Sequence, residues 1–360
     1  MSMKKEGEPL CHRLVFVGAD RSPSLLAETI HIPELKDGEI LAKVRLATIC
    51  SSDLHTILGR RCSLIPSALG HEAVLEVLAH KRGRESGLQV GQRITFSVAD
   101  VCASCDRCRV GLPQKCRSLF KYGHSQITSE RPLSGCYATH IILHPGTNVY
   151  SIPDHVSDKM AAPINCSLAT MVNAILSFSH QDADKKAVLL QGAGLLGVYG
   201  CAFLHHTGFR KVFVSDVDEY RLRSIPSFGG IPVIAGGEST LFKENELDIV
   251  IEVCGVSGII QSGIQLLKPG GTYVLVGLVH PDSYMNITAE SIIRKCLTIK
   301  GIHNYAPEHL QRAVEFMSAV ARKYPFEQLI GAVYPLAEFE TAFEKAKTGK
   351  FRRVAMENTT

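Results

Sequence analysis

Residues 187–216 constrain the fold more than any other stretch. An apolar run at 187–191 enters Gly192-Ala-Gly194-Leu195-Leu196-Gly197, helix-forming residues continue to 207, a second apolar run covers 211–215, and Asp216 closes the unit. Short apolar runs on either side of a helical stretch read as a βαβ unit, and thus as part of a parallel sheet. Each glycine then has its own task. The first makes a tight turn, the second lets backbone approach a pyrophosphate, and the third allows helix and strand to pack closely. The helix N-terminus adds unpaired N–H groups and partial positive charge. Asp216 stands where a carboxylate bonds the ribose hydroxyls and repels a 2′-phosphate, so the expected cofactor is NAD rather than NADP. Arg221, in the helix that follows, has two open readings: stacking near adenine, or facing solvent.

A second feature concerns metal. Four of the twelve cysteines fall close together as Cys102-Ala-Ser-Cys105-Asp-Arg-Cys108 and Cys116. Thiolates at this spacing turn inward on a knuckle and fill the corners of a zinc tetrahedron, and a four-sulfur site leaves no position for substrate, so the zinc is expected to be structural. An iron–sulfur cluster is the alternative with a related spacing. Residues 1–10 are polar and contain no signal core, so the expected compartment is the cytoplasm, where thiols stay reduced.

The rest of the chain reads as two textures. Short β-branched runs at 14–18, 39–47, 73–78 and 92–97 are separated by turns such as Lys36-Asp-Gly, whereas strands and helices alternate from about residue 160. An amphipathic helix is expected at 309–322 and a last one at 339–347, packing back on the first domain. With 21% charged residues and a net charge of +4, no Lys/Arg block suits nucleic acid or a membrane surface. No apolar run is long enough to span a bilayer.

Three scattered segments complete the picture: Cys50-Ser-Ser-Asp-Leu-His55, Gly70-His71-Glu72 and Asn165-Cys166-Ser-Leu-Ala-Thr170. A lone buried cysteine is ordinarily a small hydrophobe, and spacing alone does not join residues so far apart. In their order, with the cysteine lobe and the glycine fingerprint, these segments resemble the zinc-dependent alcohol dehydrogenase branch of the medium-chain dehydrogenase/reductase superfamily over nearly the whole chain. The resemblance implies a β-rich GroES-like catalytic domain at 1–167 and 303–360, a Rossmann domain at 168–302, and an active site in the cleft between them. It implies that Cys50, His71 and Cys166 bind a catalytic zinc, alcohol dehydrogenase being the standard case of a Cys₂His catalytic set. Glu72 is then a carboxylate able to approach the metal, and Asp53 the group that orients His71. Ser52 takes the alcohol proton and His55 passes it toward water. Thr170 touches the nicotinamide end. Arg353 reaches the pyrophosphate, the alternative being a solvated tail arginine. Two zincs and one NAD per chain, a small alcohol substrate and a homodimer or homotetramer follow.

The sequence departs from the family after Arg221. Pro226 falls where a helix ordinarily continues, and the connection at 229–248 is short, lacking a helix common in relatives. This bears on the adenine side of the nucleotide site. Tyr122-Gly-His124, Ala162-Pro-Ile-Asn-Cys166 and Gly301-Ile-His-Asn-Tyr305 resemble a subgroup associated with phosphonate catabolism. An anionic substrate calls for a cation, and Arg60, Lys121 and His124 are candidates, as against ordinary surface charges. Polyol or threonine-dehydrogenase-like activity, a non-catalytic member and a zinc-free reductase are the other readings.

Overall fold

The computed structural model describes residues 9–280 and 283–358. The chain divides into two compact units, Met1–Cys166 with Phe326–Thr360, and Ser167–Pro325.

The first unit is built mostly on antiparallel strands, with Ile330–Pro335 and Arg353–Glu357 paired parallel. Its main sheet runs Val149–Ser151, Arg93–Phe96, Glu72–His80, Ile40–Thr48, Arg353–Glu357 and Ile330–Pro335, with His140–Leu143 also paired to Ile40–Thr48. Along Ile40–Thr48 exposure alternates in the first six residues and then ceases, as expected of a strand that ends inside the core. Phe96, Ile94, Leu75, Tyr122 and Tyr137 belong to one apolar cluster there. A smaller sheet, Leu25–His31, Leu10–Phe16 and Ser67–Ala68, lies beside it in the same unit.

Register fixes what this sheet can do. Thr48 sits opposite Glu72 on one side and opposite Ala355 on the other. The end of the chain is thereby laid against the Gly70-His71-Glu72 segment, which no local sequence pattern announces. The expected final helix is present as Phe339–Lys347 and belongs to this unit.

The second unit holds a six-stranded parallel sheet in the order Ile231–Ile234, Lys211–Asp216, Ala187–Gln191, Leu247–Glu252, Leu267–Leu275, Thr298–Gly301. The strand that comes first in sequence, Ala187–Gln191, lies in the middle and the order reverses there, which is the doubly wound dinucleotide-binding topology. Helix Leu195–His206 follows the central strand directly.

Two expectations on organisation change. The helix predicted at 309–322 runs Pro307–Val320 and belongs to the second unit, not to the first. Its apolar face, Leu310, Ala313 and Met317, is buried, it packs on helix Ala169–Leu176, and Phe316 meets Phe203 edge-on at 5.1 Å. The shortened connection is not helix-free. One turn, Glu238–Leu241, remains between strands Ile231–Ile234 and Leu247–Glu252. The preceding helix, Glu219–Leu222, is equally short, and Pro226 stands in the 3₁₀ turn Ile225–Phe228 that replaces its continuation, because proline has no N–H to extend a helix.

Candidate metal centres and nucleotide site

The cysteine lobe is built by two short turns. Cys105 precedes the helix Asp106–Arg109, and Cys116 follows the 3₁₀ turn Pro113–Lys115. The ligand atoms of Cys102, Cys105, Cys108 and Cys116 lie within 4.8 Å of one another. Cys105 Sγ is 3.5 Å from Cys108 Sγ, Cys102 Sγ is 3.4 Å from Cys116 Sγ, and Cys105 Sγ is 4.0 Å from Cys116 Sγ. Four thiolates at about 2.3 Å from one tetrahedral zinc stand roughly 3.8 Å apart, so the spacing fits a single ion. A multi-iron cluster spreads its thiolates over several irons and fits less well. Backbone amides support the charge: Cys105 N–H donates to Cys102 Sγ and Ser118 N–H to Cys116 Sγ. The amides around Ser104 push the Cys102 thiol down to about 6.

A second set collects residues from distant segments. The donor atoms of Cys50, His71, Glu72 and Cys166 also lie within 4.8 Å of one another, three of the four residues being buried. Cys50 is the N-cap of helix Ser51–Ile57, and His71 immediately precedes strand Glu72–His80. Cys166 sits in a wide π-type turn, Ile164–Leu168. Asn165, fully buried, ties that turn down by donating to the carbonyls of His71 (2.8 Å) and Phe96 (3.1 Å). Among the two thiols the Cys166 S–H donates to Cys50, which, helped by Arg353 and His71, draws the Cys50 thiol well below its ordinary value; the same bond and burial push Cys166 up. A divalent ion that takes two thiolates and an imidazole suits this donor chemistry, and its binding expels the shared proton.

Helix Ser51–Ile57 separates two functions by its faces. Asp53 is fully buried; its Oδ2 accepts from Cys50 N–H (3.1 Å) and Tyr137 O–H (2.8 Å), while its Oδ1 is 3.4 Å from His71 Nδ1. Ser52 and His55, three apart, share another face. The Ser52 hydroxyl is buried with no hydrogen-bond partner among the described residues, which leaves it available to a ligand hydroxyl. Burial opposes a charge on His71, but the Asp53 carboxylate and Cys50 outweigh it and hold the imidazole at about 10.

Arg353 is where the structure departs most from the sequence reading. It is 8% exposed, which excludes a solvated tail. Its guanidinium is committed to Glu72 through Nε–Oε2 at 2.8 Å and Nη2–Oε1 at 3.0 Å, and Nη2 is 3.6 Å from Cys50 Sγ. Arg353 is thus paired with Glu72 beside these candidate metal donors, a partner that the sequence reading did not name. Glu72, fully buried, is pushed up by burial and held back by that arginine.

The turn Lys121–His124 also reaches this region and was legible only as part of a subgroup pattern. Gly123 has φ +68°, and a Cβ there would collide with Gly70 backbone and press His71 Cβ at 3.0 Å. Glycine is therefore what lets the turn lie against His71. The His124 ring lies tilted against that of His71, with centroids 4.6 Å apart and planes at 37°. Burial, then Arg61 nearby, pushes the Lys121 ammonium down to about 8. Arg60 is exposed beyond the helix end.

In the second unit Gly192 has φ +123°, and a Cβ would meet Cys254 at 2.9 Å. A Cβ on Gly197 would collide with the Gly192 carbonyl, whereas one on Gly194 would meet nothing. The first and third glycines are needed for packing, and the second faces open space, as the fingerprint requires. Asp216 receives Ala193 N–H at 2.7 Å and Asp218 N–H at 2.9 Å. It thereby holds the glycine turn to the next strand. Leu195 and Leu196 form the first helical turn, Thr170 is half-buried in the first turn of Ala169–Leu176, and Arg221 lies 3.5 Å from Asp218. Replacing Asp216 with serine is expected to lower the NAD:NADP ratio of kcat/KM on the order of tenfold, about 1.4 kcal/mol; an unchanged ratio would assign the carboxylate to the turn alone.

Comparison with known proteins agrees with this geometry. Residues 36–154 match the alcohol dehydrogenase GroES-like domain, and residues 161–354 match the glucose dehydrogenase C-terminus. An L-threonine 3-dehydrogenase of Aeromonas salmonicida is 30% identical, covering 90% of this chain and 93% of its own. One from Proteus mirabilis is 27% identical, covering 93% and 96%. The crystal structure of an alcohol dehydrogenase from Thermotoga maritima superposes with a TM-score of 0.88 at 26% identity, covering 97% of this chain and all of that one.

Proposed function

The chain belongs to the zinc-type alcohol dehydrogenases of the medium-chain dehydrogenase/reductase superfamily, a family of zinc-dependent oxidoreductases, and from that membership we propose that it moves hydride between an alcohol and NAD at the Cys50–His71–Cys166 centre. The observation that carries this reading is the convergence of these three donors with Glu72 inside 4.8 Å, in a chain that also builds a doubly wound nucleotide fold. When bound, zinc supplies the Lewis acidity that lowers the pKa of an alcohol oxygen, and NAD accepts the hydride.

The chain's own residues supply the rest. Cys50, His71 and Cys166 hold the metal and leave one position for substrate. Ser52, whose buried hydroxyl has no partner among the described residues, accepts the alcohol proton, and His55 on the same helix face passes it to water. Cys102, Cys105, Cys108 and Cys116 hold a second, structural zinc. Gly192, Gly194 and Gly197, with the amides of Leu195 and Leu196, receive the pyrophosphate, and Asp216 the ribose. Thr170 lies at the nicotinamide end. A cytoplasmic homo-oligomer is the assembly we favour. No helix among the described residues is long and apolar enough to cross a membrane.

For the substrate we favour an alcohol that carries an anionic group, such as a hydroxyalkylphosphonate, over a polyol or a 3-hydroxy amino acid. The reason is Lys121, half-buried, its ammonium pushed down to about 8 by burial and by Arg61, and carried on a turn that rests against His71. Burial disfavours the charged form of this ammonium, and an anionic substrate group brought beside it would favour that form again. The pH dependence has a definite sign. Lys121 is charged below about 8 and neutral above it, so KM for an anionic alcohol should rise as pH passes about 8, with KM for a neutral alcohol flat over the same range. Steady-state NAD reduction across a panel of hydroxyphosphonates, polyols and 3-hydroxy amino acids tests this. Turnover of neutral alcohols only would remove the anionic reading and leave the dehydrogenase reading standing. No turnover in the panel, with one zinc per chain, would count against both.

A further inference from the structure

We propose that Tyr137 is a positioning residue for the metal centre, its phenol holding one oxygen of Asp53 so that the other is fixed on His71. This rests on the reading that Cys50, His71 and Cys166 share a zinc ion.

Asp53 is a fully buried carboxylate with two different sides. On the Oδ2 side it accepts two hydrogen bonds, from Tyr137 O–H at 2.8 Å and from Cys50 N–H at 3.1 Å. On the Oδ1 side it stands 3.4 Å from His71 Nδ1, an ion-pair distance without hydrogen-bond geometry, and accepts Gly70 N–H at 3.5 Å. A carboxylate can turn about its own bond and exchange its oxygens. A short phenol bond to one oxygen removes that freedom, and the second oxygen is left aimed at the imidazole. Tyr137 itself is 1% exposed and has little room to move. Its ring meets Phe343 edge-on at 5.4 Å. Gly70 has φ +85°, and a Cβ there would come within 2.7 Å of the Tyr137 ring. The glycine of Gly70-His71-Glu72 is therefore what allows a tyrosine to reach the carboxylate behind the histidine.

Loss of the hydroxyl has two effects on the ligand. The freed oxygen keeps charge that had been shared with the phenol, and the carboxylate gains rotational freedom. Outer groups that orient a metal-bound histidine are worth about 10- to 100-fold in metal affinity. Tyr137 acts one step further out, through Asp53, so the lower end of that range is the expected size.

The test compares Tyr137→Phe with wild type in its zinc-loaded state. Phenylalanine preserves the ring that Gly70 and Phe343 contact, so folding is maintained. Release of the more labile zinc to a chromogenic chelator should be about tenfold faster in Tyr137→Phe, and the acid limb of the kcat–pH profile should move. Tyr273→Phe is the matched control. It removes another buried phenol bond, to Gln191 Oε1 at 2.7 Å in the other unit, and should leave zinc release unchanged. Equal release rates in wild type and Tyr137→Phe would overturn the proposal. Equally fast release from Tyr273→Phe would do the same, since it would make the effect one of general destabilisation. A wild-type protein that holds only one zinc would refute the catalytic-zinc reading, and the proposal would fall with it for that separate reason.

Discussion

Cys166→Ala is expected to hold one zinc per chain where the wild type holds two, and to lose on the order of 10³-fold or more in kcat/KM. The argument starts from the donor set. Cys166 supplies one of two thiolates, and Glu72, the other donor within 4.8 Å, is held by Arg353 and so is not free to replace it. With Cys50 and His71 alone the site has too few ligands for zinc. Lewis-acid activation is worth several kcal/mol of transition-state stabilisation, and about 4 kcal/mol is already 10³-fold. The cysteine lobe is built from other residues, so its zinc should remain and the variant should stay folded. Elemental analysis of both proteins, with the alcohol assay beside it, decides the matter. Two zincs in the variant would place the second ion elsewhere. One zinc in both would favour a protein that keeps the fold and the structural lobe without the chemistry.

What could be read from the sequence divides by how local the signal is. The glycine fingerprint, its strand and helix, and the cysteine lobe are contiguous motifs whose geometry follows from their own spacing, and each lies within one short stretch of chain. Cys50, His71 and Cys166 could be joined only by resemblance, since each is a single residue in its own segment. The Glu72 partner of Arg353 was not legible because it depends on strand register. Nothing in Arg352-Arg353-Val354 announces that Ala355 lies opposite Thr48 and Thr48 opposite Glu72. Tyr137 was missed for a related reason. It faces Asp53 across 84 residues, and its sequence neighbourhood looks like an ordinary buried strand. The helix at 307–320 was assigned to the wrong unit because amphipathicity identifies a buried face and not the surface that covers it.

The Arg353 assignment predicts the second large effect. Arg353→Ala should destabilise the first unit by about 3–5 kcal/mol, because it leaves Glu72 as a buried carboxylate without its cation. Two observations set that scale: Glu72 is fully buried and Arg353 only 8% exposed, so solvent cannot take over the lost partner. Two parallel N–H···O bonds, at 2.8 and 3.0 Å, also give the pair the fork geometry in which arginine is strongest. The double variant Arg353→Met/Glu72→Gln should recover most of the loss, since removing both charges removes the desolvation penalty as well. Denaturant unfolding of the four proteins of this cycle would give a coupling of 2 kcal/mol or more if the pair is as buried and as well formed as it looks here. A loss below about 1 kcal/mol in Arg353→Ala would instead match an exposed pair, and would return the arginine to the pyrophosphate reading. Lysine should not substitute. A point charge can make only one of the two parallel bonds, and Cys50 Sγ, 3.6 Å from the same guanidinium, would lose the cation that helps keep it a thiolate. The pair therefore ties the stability of the sheet to the charge state of a candidate metal donor: strand Arg353–Glu357 both closes the core and sets a cation beside Cys50.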